Sequence, residues 1–253
     1  MIPRYGDKYD AEALYNPRDA IVPREDGLPD VPQAVVLGFQ ETLTEAVRAE
    51  SEQIDPGPAR QLEFYRLSDS VAFCPVVDIG VGAPVAAVAT EKAIASGAEA
   101  VVMLGGAAAF QTDVGPDTVL LPTRAVRDEG VSYHYLPGDE AVRATPALVD
   151  ELERTFASAG SQTSRGPTWT TSALFRETLP EIEHYRERGF VSLCMESAAI
   201  WAVCQYRGVD AATVHHADDY LSAEEWIDPE ARSAGLVDRL DPTVRALERH
   251  VDG

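Results

Sequence analysis

The sequence predicts one α/β domain built on a mainly parallel sheet, and three observations carry that expectation. Asp78-Ile79-Gly80-Val81-Gly82-Ala83-Pro84 turns into an Ala-rich helix ending near Gly97, and Ala100 to Leu104 follows as a strand. This strand, helix, strand alternation implies parallel pairing, because the crossover helix returns the chain to the same edge of the sheet. The β-rich run Phe190 to Leu193 likewise stops at Met195-Glu196, where a second Ala-rich helix opens. Finally, 253 residues suffice for one large core, and no stretch suggests two.

Residues 1–33 carry several prolines and mixed charges and read as an extended arm. Ala34-Val35-Val36-Leu37-Gly38 is a short buried strand, followed by a polar helix from Glu41 to about Ser51 and a Pro56-Gly57-Pro58 break. Strand-like runs at Leu62–Leu67 and Val71–Val77 precede the helix that ends near Gly97. After Gly105-Gly106, Asp117–Arg127 reads as extended, Asp128–Glu140 as a polar loop and Pro146–Ala159 as a helix. Gly166–Thr171 is a strand entering a loop at Ser172–Arg176, and Leu179–Arg188 is a charged helix. Ala211–His215 closes the set of strands. Pro229–His250 is an amphipathic helix, with Leu236, Leu240, Val244 and Leu247 at helical spacing.

A net charge of -21, from 42 acidic and 21 basic residues, argues against nucleic acid or an anionic membrane as partner, since a negative field repels polyanions. The same acidity fits adaptation to high salt, where self-repulsion is screened within roughly 3 Å at 1 M. Cys74, Cys194 and Cys204 are odd in number, lack CxxC spacing and sit in or beside apolar runs, so they read as core residues in a reducing compartment. Met1–Asp10 lacks the apolar stretch of a signal peptide, and no apolar run approaches the roughly 20 residues of a spanning helix. The expectation is a soluble, cytoplasmic protein.

Small molecules bind at the carboxyl ends of strands in such sheets. Glu196 lies at one strand end, and Asp218 and Asp219 follow another, so carboxylates from two strands are expected in one pocket. Gly80-x-Gly82 lacks the third glycine and the later acidic residue of a dinucleotide site. His215 and His216 point to opposite faces of a strand, and no third His or Cys completes a metal set, so neither metal nor cofactor is expected. His134, in Ser132-Tyr133-His134-Tyr135, sits in a polar loop. No GxSxG or HExxH motif is present.

Several segments together resemble the nucleoside phosphorylase and nucleosidase superfamily. They are Gly80–Gly97, Val101–Ala109, Val119–Pro137 with its Asp128-Glu129-Gly130-x-Ser132-Tyr133-His134-Tyr135 core, Thr170–Thr178 and Val191–Leu221. Met195-Glu196 followed by Ala198-Ala199, with Asp219 beyond the next strand, is the most specific part. The resemblance implies a catalytic domain over residues 34–253 with a twisted, barrel-like mixed sheet flanked by helices, a homo-oligomer (dimer or hexamer), and cleavage of a ribosidic C1′–N bond. It assigns the ribose to Met195, Glu196 and His134, and the base to Phe175, Arg176, Thr171 and Asp218. Asp219 matches the acid that protonates a purine, whereas Arg176 suits a pyrimidine carbonyl; the base stays open, with purine favoured.

The expected activity is phosphorolysis of a purine nucleoside or uridine to free base and ribose 1-phosphate, with Gly38, Gly105 and Gly106 at the phosphate. Departures from the family lie in that same place. The loop Leu37-Gly38-Phe39-Gln40-Glu41-Thr42 lacks the family's arginine, and in the second phosphate loop an arginine becomes Met103, a serine or threonine becomes Gly106 and a glycine becomes Ala108. Phosphorolysis would therefore need another cation, such as Arg124, Arg127 or one lent by a partner near Arg60 and Arg66. Two alternatives follow: hydrolysis by water with Glu41 as base, or nucleoside binding without turnover.

Overall fold

The computed structural model describes residues 8–17, 19, 29–54, 62–110, 115, 117–221, 226–227 and 234–253. Within residues 8–33 the described part of the arm forms turns and bends and contains no helix or strand. It is tied down at Val31, whose N–H donates to the Ser96 carbonyl, and at Tyr9, whose hydroxyl donates to the Tyr133 carbonyl.

The chain then runs β1 (Ala34–Gly38), α1 (Glu41–Glu50), β2 (Glu52–Ile54), β3 (Phe64–Arg66), β4 (Val71–Pro75), α2 (Ala83–Ala95) and β5 (Ala100–Ala109). Next come β6 (Val119–Asp128), β7 (Val142–Arg143), α3 (Pro146–Ser158), β8 (Thr163–Thr171) and α4 (Leu179–Arg186). The last elements are β9 (Ser192–Cys194), α5 (Ser197–Arg207), β10 (Asp210–Leu221), β11 (Trp226–Ile227), α6 (Ala234–Val237) and α7 (Leu240–Val251).

These strands form one mixed sheet flanked by helices, as expected. The long ladders, β5 with β10 and β6 with β8, are parallel, while the short ladders of β2, β3, β7 and β11 are antiparallel. Strands β5, β10, β6, β8 and β9 pair in a cycle that returns to β5, and β1, β4, β3 and β2 extend from β5 as an open wing. The five-residue β1 is buried throughout because it lies between two parallel neighbours, β4 and β5. The core lies where these strands meet the helices and includes Val35, Phe73, Val101, Leu152, Trp201 and Leu247.

Three expectations change. β5 runs to Ala109 and β10 to Leu221, so Gly105-Gly106 and Asp218-Asp219 lie inside strands instead of in loops. Val76–Ile79 is a 3₁₀ turn, not the end of a strand. The C-terminal helix is divided: α6 and α7 are separate elements, and residues 229–233 of the expected helix lie outside the described residues, as do Arg60 and the Pro56-Gly57-Pro58 break.

Candidate active site

A cavity of about 330 Å³ opens at the carboxyl ends of the parallel strands β1, β5 and β10. Gln40 enters from the turn after β1, Gly106 from β5, Cys194 from β9, and Asp218 and Asp219 from β10. Two adjacent strand residues ordinarily face opposite sides. Here the β5–β10 register shifts between Ala217 and Asp219, leaving Asp218 as an unmatched bulge residue, and both aspartates reach the cavity wall.

Glu196 occupies the N-terminal boundary of α5 and is 6% exposed. One carboxylate oxygen accepts from the Gly82 N–H at 2.7 Å and the other from the Met195 N–H at 3.0 Å. Gly82 has φ +93°, a conformation that L side chains rarely adopt, and this conformation accompanies the aim of its N–H at Glu196. Of the pair Gly80-x-Gly82, Gly82 thus donates to a carboxylate, while the Gly80 N–H closes the preceding turn on the Val77 carbonyl. Burial pushes the Glu196 carboxyl up to about 7, with Cys194 adding to the rise and the two N–H donors and His215 opposing it. A carboxylate has about four acceptor positions, so two remain for a ligand.

Beneath the wall lies a buried polar layer. His215 Nδ1 is 3.0 Å from Ser192 Oγ, which donates to Thr168 Oγ1, while Cys194 Sγ, Ser197 Oγ and Thr213 Oγ1 form a second chain of contacts. Full burial pushes His215 down to about 4, so it is a neutral imidazole at pH 7.

Of the residues singled out from sequence, Met195, Glu196, Asp218, Asp219 and Gly106 line the cavity. The others do not. Phe175 is 94% exposed on the 3₁₀ turn Leu174–Arg176, and Leu174 takes the wall instead. Arg176 is also exposed, and Thr171 is buried with its hydroxyl accepting from the Ala173 N–H. His134 is exposed beside Lys8, and Glu41 is exposed at the start of α1. Gly38 leaves room for the Phe73 ring, which a Cβ would meet at 2.2 Å, and Gly105 lies against Met103 and Phe39.

The proposed substitute cations are engaged elsewhere. Arg127 donates to Ser132 Oγ and to the carbonyls of Leu136, Pro137 and Glu140, pinning the Asp128–Tyr135 loop; Arg124 lies 5.9 Å from the Phe190 ring. Among the described residues lining the cavity there is no Lys, Arg or His.

Two polar residues that the sequence reading passed over complete the wall. Gln40 donates to Asp218 Oδ2 at 2.6 Å, whereas its neighbour Glu41, the base expected for hydrolysis, is exposed. Glu177 follows the expected base-binding pair, and burial, then the charges of Asp219 and Glu181, push its carboxyl up to about 7.

Comparison with known proteins agrees with this architecture. The model of the Phosphorylase superfamily matches residues 32–244. Guanosine phosphorylase of Halorubrum lacusprofundi is 26% identical over 153 residues, which are 58% of this chain and 61% of that protein, so the shared stretch is under two thirds of that relative. Uridine phosphorylase of Salmonella typhimurium is 23% identical over 195 residues, 72% of this chain and 77% of that one. The fold is similar to that of uridine phosphorylase from Vibrio fischeri ES114, with a TM-score of 0.71 at 20% identity over 87% of this chain and 92% of that one. With a matching model that spans most of its length, and the fold to go with it, this chain belongs to the phosphorylase superfamily.

Proposed function

We propose that the protein cleaves the C1′–N bond of a nucleoside. The observation that carries this reading is Glu196, a buried carboxylate fixed by two backbone N–H groups with acceptor positions left over for a pair of hydroxyls. As the bond breaks, positive charge grows on the ribose and negative charge on the base, and stabilising both is the task of the site. Ionised Glu196 accepts from the 2′- and 3′-hydroxyls through charge-assisted hydrogen bonds, and Met195 packs against the sugar.

Glu177 and Asp219 supply the other end. They line the same cavity, and the charge of Asp219 helps keep the Glu177 proton in place. That proton passes to the departing base, a step worth on the order of 10²–10⁴-fold. A carboxyl donor in the cavity, with Arg176 exposed outside it, favours a purine over a pyrimidine.

Family membership supports inorganic phosphate as the acceptor of the ribosyl group, with ribose 1-phosphate as product. The cavity itself favours a second reading, hydrolysis, because its described lining holds four carboxylates and no cation to bind a phosphate dianion. We further read the protein as a cytoplasmic homo-oligomer, dimer or hexamer, a reading supported by three buried free cysteines and by the exposed apolar side chains of Phe175, Leu179 and Val88.

Incubation with guanosine, inosine, adenosine and uridine, followed by chromatography of the released base, tests the reading. Base release, fastest from a purine nucleoside, is expected; saturable nucleoside binding with no base released from any of them would make the protein a binding homologue instead.

A further inference from the structure

Resting on the nucleoside-cleaving reading, we infer that Asp218, held by Gln40 over Gly106, makes water the acceptor in this site and takes the proton from it. Three elements build this unit. The Asp218 carboxylate stands on the β10 bulge, the Gln40 amide from the turn after β1 donates to Oδ2 at 2.6 Å, and the floor is Gly106 of β5. A Cβ on residue 106 would lie 1.7 Å from Asp218 Oδ2 and 2.4 Å from Gln40 Nε2. Any side chain there displaces the carboxylate, so glycine at 106 and aspartate at 218 are one arrangement, not two separate substitutions.

The unit shares the cavity with Glu196, Glu177 and Asp219. An anionic acceptor entering beside Asp218 meets like charge with no cation on the described lining, whereas water meets a hydrogen-bond acceptor. Arg239, buried and hydrogen-bonded to the Gly235 carbonyl, does not line the cavity. In the step, the water oxygen forms a bond to C1′ and its proton passes to Asp218. The C1′–N bond breaks with its electron pair going to the base, and the base takes the proton of Glu177. The products are free ribose and free base, with no other reactant.

The full-length protein is incubated with guanosine, with and without inorganic phosphate, and the sugar is identified by mass spectrometry beside the Asp218→Asn and Gly106→Ser variants. Free ribose formed at the same rate with or without phosphate is expected. Turnover should fall by roughly 100-fold or more in Asp218→Asn, with guanosine affinity held within about threefold because only the charge is removed. Gly106→Ser, which displaces the carboxylate, should lose turnover in the same way. Ribose 1-phosphate formed only when phosphate is present would overturn the inference and leave nucleoside cleavage standing. So would Asp218→Asn turning over at the wild-type rate. Neither binding nor cleavage of guanosine, inosine, adenosine or uridine would remove both.

Discussion

Glu196 is almost fully buried and its carboxyl is raised to about 7, so its charge state is the first property of the site that a solution experiment reads. The sign follows from its proposed role as the ribose acceptor. Below about 7 the carboxyl is neutral and loses the charge that strengthens the ribose hydrogen bonds, so guanosine affinity should rise with pH between 5.5 and about 7 and then level off. A flat profile of dissociation constants across that range would contradict the assignment. Glu177, also raised to about 7, acts in the opposite sense, since it must hold a proton to give one. Turnover should fall above about 7, and Glu177→Gln should lower the maximum and abolish that alkaline limb in a pH–rate profile. The carboxylates Glu196, Asp218 and Asp219 were legible from their places at strand ends. Gln40 and Glu177 were not, because their roles come from the turn after β1 and from the path of the chain into α4, and neither leaves a period in the sequence.

At the scale of elements, the β10 bulge and the glycine turn before α2 do the positioning. Gly82 has φ +93°, and a Cβ there meets nothing closer than the Met195 methyl at 3.9 Å, so Gly82→Ala is a matter of backbone strain and not of space. The strain should cost about 1–3 kcal/mol of stability by denaturant unfolding and turn the N–H away from Glu196, weakening guanosine binding. A variant with unchanged stability and affinity would refute that account of the turn. The strands β1, β5 and β10 were visible from their apolar starts, Ala34–Gly38, Ala100–Leu104 and Ala211–His215. Their continuations were not. Glycine, alanine and aspartate have poor strand preference, yet the β5–β10 ladder keeps Gly105–Ala109 and His216–Leu221 extended, which is tertiary pairing prevailing over local preference. Phe175 shows the reverse case: the family resemblance of its segment puts it over the base, but the short turn Leu174–Arg176 leaves it exposed and aims its neighbour Leu174 at the cavity instead.

The whole molecule carries a net charge of -21, and several of its arginines are drawn into ion pairs at or near the surface, Arg48 with Glu63 and Asp78, Arg165 with Asp150 and Glu153, and Arg207 with Glu91. Such pairs each contribute about 0–1 kcal/mol, too little to offset the remaining repulsion at low salt. The thermal midpoint should therefore climb as potassium chloride rises from low concentration toward 1 M, where the screening length is roughly 3 Å. A midpoint independent of salt would show that the acidity is not a stability burden. Charge and fold class are properties of the whole chain, and both were legible in its composition and alternation of elements. The lack of a cation among the described residues that line the cavity was only half legible: the missing family arginines showed in the sequence, but the engagement of Arg127 by four acceptors of its own loop required the structure.

Binding of guanosine to the wild-type protein and to Glu196→Ala, compared by titration calorimetry at pH 8, tests the central claim most directly. Loss of two hydrogen bonds to a charged group, each worth about 1.5–3 kcal/mol, predicts a drop in affinity of roughly 100-fold or more with the folded state retained. Equal affinity in the two proteins would mean that the ribose is held elsewhere and that this cavity is not the nucleoside site.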